Sequence, residues 1–141
     1  MAQIHSYLTF NGNCREAMHF YKDCLGGELK IQGIGETPMA VKMPAKMRDG
    51  VLHATLEKGN VILMGSDMVP DTGFQTGNSV SLILMCSSEI EIRQYYENLA
   101  NGGLATHPLE YTFWGALFGG LTDKFGNHWL LNYEKSKSKL I

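Results

Sequence analysis

Along this chain a strand pattern, a helix cap, an amphipathic helix, a pair of glycines and further strands occur in that order, and then occur again. An ordered recurrence of this kind marks an internal duplication, and it restricts the chain to architectures built from two like modules. In the first copy Ile4, Leu8 and Phe10 fall on one side of a two-residue period, and His5, Tyr7 and Thr9 on the other. That is a strand with one face for a core and one for something more polar. Asn11-Gly12-Asn13 makes a turn in which Asn13 is placed to cap a helix. The spacing of Ala17, Phe20 or Tyr21, Cys24 and Leu25 predicts that helix over 14–25, and Gly26-Gly27 ends it. Residues 28–34 suit a strand, followed by a loop bracketed by Pro38, Pro44 and Gly50. From Val51 to Glu57 the chain alternates again. Leu52, Ala54 and Leu56 are expected to face the helix, and His53, Thr55 and Glu57 to face away. Gly59-Asn60 is a hairpin signal, and Val61–Met64 reads as the strand that follows it.

The second copy opens with a strand over Ser79–Met85. Ser88-Glu89-Ile90-Glu91 has the form of a capping box, and its helix carries Ile92, Tyr95 or Tyr96, and Leu99. Gly102-Gly103 closes that helix. An offset of 74 (79 − 5) lays Ser79 over His5, Ser88 over Cys14 and Leu99 over Leu25, while the glycine pairs need 76 (102 − 26). The expected organisation is a single α+β domain of two βαβββ modules, forming a curled mixed sheet with a central cleft. Module one spans about 1–67, a linker with Pro70, Gly73 and Gly77 about 68–78, and module two about 79–134. The charged end, about 135–141, is expected to be a disordered tail.

Composition narrows the partners. A hydrophobic fraction of 44% supplies a core, and a net charge of −2 without a basic run argues against nucleic acid, which needs clustered Lys and Arg. No apolar run reaches the roughly 20 residues of a membrane span. Three cysteines without CxxC spacing, and a start without an apolar leader, point to a reduced cytoplasmic setting. Helices on one face leave the other face uncovered, so polar residues on it are candidates for ligand contact. By strand parity these are His5, Tyr7, His53, Asp67 and Asn132, with Trp114 brought near by the loop that carries it. Tyr7 and Trp114 offer stacking area, Asn132 both donates and accepts, and Asp67 accepts. Met39, Met43 and Met47 suit an adaptable lid over an apolar ligand. Asp123 is expected to hold a turn, and Trp129 to face the helix.

Three segments carry a resemblance: EAMHFYKDCLGGEL (16–29), Met64-Gly65-Ser66-Asp67, and HPLEYTFWGALFGGLTDKFGNHWLLN (107–132). Together they resemble the PhnB-like family, the 3-demethylubiquinone-9 3-methyltransferase-like branch of the glyoxalase/bleomycin resistance/dioxygenase (vicinal oxygen chelate) superfamily. The resemblance covers nearly the whole chain. It implies the duplicated fold above and a homodimer. Metal-dependent members of the superfamily carry four His or Glu ligands, two per module. Those positions match His5, Leu63, Ser79 and Leu130 here, and only His5 is a ligand type. The expectation is therefore a small-molecule-binding protein of PhnB-like type with no metal or other cofactor. The alternative is a divalent-metal enzyme of lyase, isomerase or dioxygenase type, using a remodelled site around His5, His53 and Glu57.

Overall fold

The computed structural model describes residues 1–135. The expected tail beyond Lys135 lies outside the described residues. The chain divides into two compact units, residues 1–75 and the remainder from Thr76.

In the first unit, β1 (Ser6–Thr9) leads to α1 (Cys14–Leu25), then β2 (Glu28–Gly33), β3 (Val51–Lys58) and β4 (Val61–Ser66). The sheet order is β1-β4-β3-β2, with β1 parallel to β4 and the other pairs antiparallel. In the second unit the same sequence returns as β5 (Leu82–Met85), α2 (Glu89–Ala100), β6 (Leu104–Tyr111), β7 (Ala116–Thr122) and β8 (His128–Glu134). Its order is β5-β8-β7-β6, again with one parallel pair, β5 with β8. The chain is thus α+β, two βαβββ modules of identical topology. The loop between β2 and β3 is not open coil but three short 3-10 turns, Ile34–Glu36, Pro38–Lys42 and Ala45–Met47.

α1 forms where its apolar spacing places it. Cys14, Ala17, Met18, Tyr21, Cys24 and Leu25 are all buried, and the helix packs on β2, β3 and β4. Val51, Ala54, Leu56 and Leu63 are the buried apolar strand residues of this module's core. Each large side chain so buried contributes roughly 1.5–3 kcal/mol. The expected cap is corrected. Asn13 makes no side-chain cap bond. Asp67, at the end of β4, accepts from the backbone N–H of Gly12 (2.9 Å) and Cys14 (3.0 Å) instead. A carboxylate satisfies orphan N–H groups more strongly than a neutral amide does, and it favours the positive end of the helix.

α2 is capped as its motif requires, with Ser88 Oγ accepting from Glu91 N at 3.0 Å. The reciprocal arm differs, because Glu91 Oε1 takes the N–H of Ser87 (2.8 Å) rather than that of Ser88. Both glycine pairs turn the chain at close quarters. A Cβ on Gly27 (φ +100°) would sit 2.6 Å from the Glu57 carbonyl oxygen, and one on Gly103 2.3 Å from that of Thr122. The second glycine of each pair is where the strand after the helix grazes its neighbour.

The repeat register is also corrected. β5 begins at Leu82, so the first strands are offset by 76 (82 − 6) and the helices by 75 (89 − 14). Only four residues of each edge strand find partners on β4 or β8. The structural counterpart of His5 is therefore Ser81, and Ser79 lies in the segment before the strand.

Candidate functional site

On module one's sheet, the pleat puts Tyr7, Met64 and Thr55 in one row, opposite the face that α1 covers. Tyr7 is half-exposed and its ring lies 5.7 Å from that of His53, with the hydroxyl 3.4 Å from Nδ1. His53 Nε2 is 3.0 Å from Thr55 Oγ1. These three side chains form one polar–aromatic cluster. His5 does not join it. It precedes β1, is exposed, and its Nε2 meets Gln3 Oε1 at 2.9 Å. Glu57 shares the face of His53, but four residues of extended strand separate them by about 13 Å.

Asp67 is 6% exposed. Besides its two helix contacts, its Oδ2 accepts from Val51 N at 2.8 Å. The carboxylate expected to meet a ligand thus ties three backbone segments together. It also forms a wall of a cavity of about 370 Å3 lined by Asn11, Gly12, Ile34, Met47, Asp49, Gly50 and Val69. Of the methionines expected to form a lid, Met47 is the one in that wall.

In module two, Asn132 and Leu130 share the β8 face opposite Trp129 and Leu131. Trp129 is buried and donates from Nε1 to Asp123 Oδ2 at 2.8 Å. Asp123 Oδ1 takes the N–H groups of Phe125 (2.8 Å) and Asn127 (3.0 Å), so it holds the turn into β8. Asn132 is 5% exposed, yet its Nδ2 has no hydrogen-bond partner among the described residues. Two residues on, Glu134 Oε2 is in the same condition. Trp114 stands at the tip of the β6–β7 hairpin, half-exposed, its ring edge-on to the more exposed Phe113 at 4.9 Å. Gly115 beside it takes φ +91°, as a tight turn does. Glu134 was not singled out by the sequence, although its parity with Asn132 would have found it.

Cys14 and Cys86 are not poised as nucleophiles. Burial, with the Asp67 charge beside it, pushes the Cys14 thiol up to about 12, and burial with Glu91 does the same for Cys86.

Residues 2–132 match the family described as 3-demethylubiquinone-9 3-methyltransferase. This chain belongs to that family. Among its relatives, protein YjdN of Escherichia coli K12 is 31% identical, over 95% of this chain and 97% of that one. The crystal structure of PA1353 from Pseudomonas aeruginosa is 40% identical, with a TM-score of 0.84 over 95% of this chain and 98% of that one. A putative 3-demethylubiquinone-9 3-methyltransferase, PhnB protein, from Bacillus cereus is 28% identical, with a TM-score of 0.70 over 94% and 99%. The fold alone is shared with a glyoxalase-related enzyme from Fulvimarina pelagi, at 17% identity and a TM-score of 0.60 over 95% and 89%. The chain is thus a member of the 3-demethylubiquinone-9 3-methyltransferase family, similar to a PhnB protein and with the fold of glyoxalase-related proteins.

The register allows the metal-ligand positions that the resemblance implied to be placed on this chain. Ser6 pairs with Leu63, and its counterpart Leu82 pairs with Trp129. Leu63 is therefore the equivalent of Trp129, and both are buried on the helix side. The partner of Leu130 in the repeat is Met64, so Leu63 is corrected to Met64 as the second position. With Ser81 in place of Ser79, the four are His5, Met64, Ser81 and Leu130. Such a set supplies one imidazole, one thioether, one hydroxyl and one hydrocarbon, which does not fit an octahedral divalent ion. No group of three His, Cys, Asp or Glu among the described residues is arranged to hold a metal.

Proposed function

We infer that this PhnB-like chain binds a small organic molecule on the helix-free faces of its sheets, using hydrogen bonds and apolar area rather than a metal. The observation that carries this is Asn132: a buried amide nitrogen with no partner among the described residues, on the helix-free face of β8 between Leu130 and Glu134 and opposite Phe118 and Met85. Burying a polar group unpaired costs about 1–3 kcal/mol, which a ligand acceptor placed there would recover. The Tyr7–His53–Thr55 cluster supplies a second polar–aromatic surface of the same character. The metal-enzyme alternative needs His5, His53 and Glu57 to converge, and their placement on module one argues against it.

A thermal-shift screen of small molecules, followed by titration of each hit against Asn132→Ala, tests the reading. The expected loss is on the order of 1–3 kcal/mol of binding, with Tyr7→Ala and Trp114→Ala as further probes and Lys22→Ala, on the exposed side of α1, as the neutral control. Hits that bind all three folded variants as they bind the parent would refute it. The same reading includes a cytoplasmic homodimer. Ile83 and Met85, on the edge strand β5, expose apolar surface that a second copy would cover. Light scattering is expected to give twice the mass of one chain, and a species that stays monomeric on concentration would count against the pairing.

A further inference from the structure

The two unpartnered polar atoms of module two belong to neighbouring residues on one strand face, and their chemistries are opposite. Asn132 and Glu134 stand two residues apart on β8 and share its helix-free face. Asn132 Nδ2 only donates, and a carboxylate oxygen such as Glu134 Oε2 only accepts. Both atoms are buried and without a partner among the described residues. A buried donor and a buried acceptor left open side by side define what would satisfy them: one group that accepts at one atom and donates at the next.

We propose that Asn132 and Glu134 together read the carboxamide or lactam group of a ligand, its carbonyl oxygen on Asn132 Nδ2 and its N–H on Glu134 Oε2. This rests on the small-molecule reading above and names the ligand class for it. The spacing agrees. The Cα atoms of alternate strand residues are about 6.6–7 Å apart, and the Asn and Glu side chains, rising from one face, are long enough to converge on the adjacent oxygen and nitrogen of one amide group with hydrogen bonds of about 2.9 Å. The surroundings agree as well. Phe118 opposes Asn132 across the β7–β8 pair, Met85 opposes it on β5, and Ala116 opposes Glu134. An apolar or aromatic body attached to the amide has hydrocarbon beside it, and Ala116 leaves room next to the carboxylate. A ligand carboxylate in the same place would set two negative charges against each other, so the pair selects against acids.

Benzamide, acetophenone and benzoate share a ring and differ only in this head group, so they separate the terms. Binding would be followed by chemical-shift titration of the folded chain. Benzamide is expected to saturate, acetophenone to bind about tenfold more weakly for loss of a hydrogen bond to a charged group, and benzoate more weakly still. Glu134→Gln is the deciding variant. It removes the charge and keeps the shape, so benzoate is expected to gain about tenfold or more while benzamide weakens. If acetophenone matches benzamide and Glu134→Gln changes nothing, yet Asn132→Ala weakens both, the amide inference is wrong and the small-molecule reading stands. If Asn132→Ala, with its spectrum otherwise intact, leaves all three titrations unchanged, both are wrong. Failure of benzamide to saturate up to its solubility limit also overturns the proposal.

Discussion

Replacing Asp67 with alanine tests how module one is held together, because the structure assigns this side chain three long-range bonds. Its carboxylate accepts from Gly12 N, Cys14 N and Val51 N at 2.8–3.0 Å. Gly12 is exposed, so its N–H returns to water at little cost. Cys14 and Val51 are fully buried, and their N–H groups are left without an acceptor. Each such group costs about 1–3 kcal/mol, and the carboxylate's favourable place at the helix N-terminus adds a further 0.3–1, roughly. The expected loss is about 3–6 kcal/mol, a large share of the roughly 5–15 kcal/mol by which a domain is stable. Asp67→Asn keeps one carbonyl acceptor but turns an amide N–H towards a backbone N–H, so it is expected to lose about half as much. Asn13→Ala is the internal control. An Asn serving as cap would cost about 1 kcal/mol, whereas here the expected loss is under about 0.5. Equilibrium urea unfolding, read by circular dichroism and tryptophan fluorescence, measures all three variants. A loss below about 1.5 kcal/mol for Asp67→Ala, or a loss of about 1 kcal/mol or more for Asn13→Ala, would show that the cap and tie have been misassigned.

Gly103→Ala would press its Cβ against the Thr122 carbonyl oxygen, so a loss of about 2–4 kcal/mol is expected in the same urea assay. Gly59→Ala, at φ +58° with nothing within 4 Å, is expected to lose only about 1 kcal/mol, and equal losses at the two sites would refute the close-approach argument. Cys14 gives a pH prediction. Its folded thiol is raised from 9.0 to about 12, so the folded state holds its proton where the unfolded state has lost it. The stability this contributes is complete below pH 9 and falls as pH rises from there towards 12, by up to about 1.4 kcal/mol per pH unit. The stability difference between the parent and Cys14→Ala is therefore expected to be flat below pH 9 and to shrink above it. A difference that stays constant to pH 11 would contradict the assignment.

The parts of the fold legible in the sequence were those set by local rules. The span of α1 followed from its apolar spacing and its flanking Asn and Gly residues, and the Gly59-Asn60 turn from its φ requirement. Ser88 capped α2 for the same local reason. Long-range choices were not legible. Nothing near Asn13 signals that its capping role passes to a carboxylate more than 50 residues away. The 3-10 turns between β2 and β3 were likewise hidden, since prolines at 38 and 44 forbid a long helix without saying what replaces it. The extent of β5 was overestimated because alternation begins before pairing does, and only the residues opposite β8 are strand.

For the candidate site, parity was informative wherever its register was right, and a slip of one residue reversed the answer. Tyr7, His53 and Asn132 were placed on the helix-free faces and lie there. Leu63 was placed there too, and lies in the core instead. Tyr7, His53 and Asn132 followed from strand parity, whereas Leu63 came from aligning its strand to the ligand position that the resemblance implies, and that alignment was one residue out of register. The duplication contains its own check. β1 meets β4 as β5 meets β8, so a position read as cleft-facing in one module must have a counterpart facing the same way in the other. Leu63 fails that test, because its counterpart is Trp129, which Asp123 ties into the core. Met64 passes it against Leu130. Applied to Asn132, the same ruler gives Ser66, another polar residue with a side-chain hydroxyl. Ser66, however, is bonded within its own module through Met68 N at 3.2 Å, while Asn132 Nδ2 has no such bond. The modules share a frame but differ in what they leave unsatisfied, and it is in the second that an unpaired donor waits for an acceptor from outside the described chain.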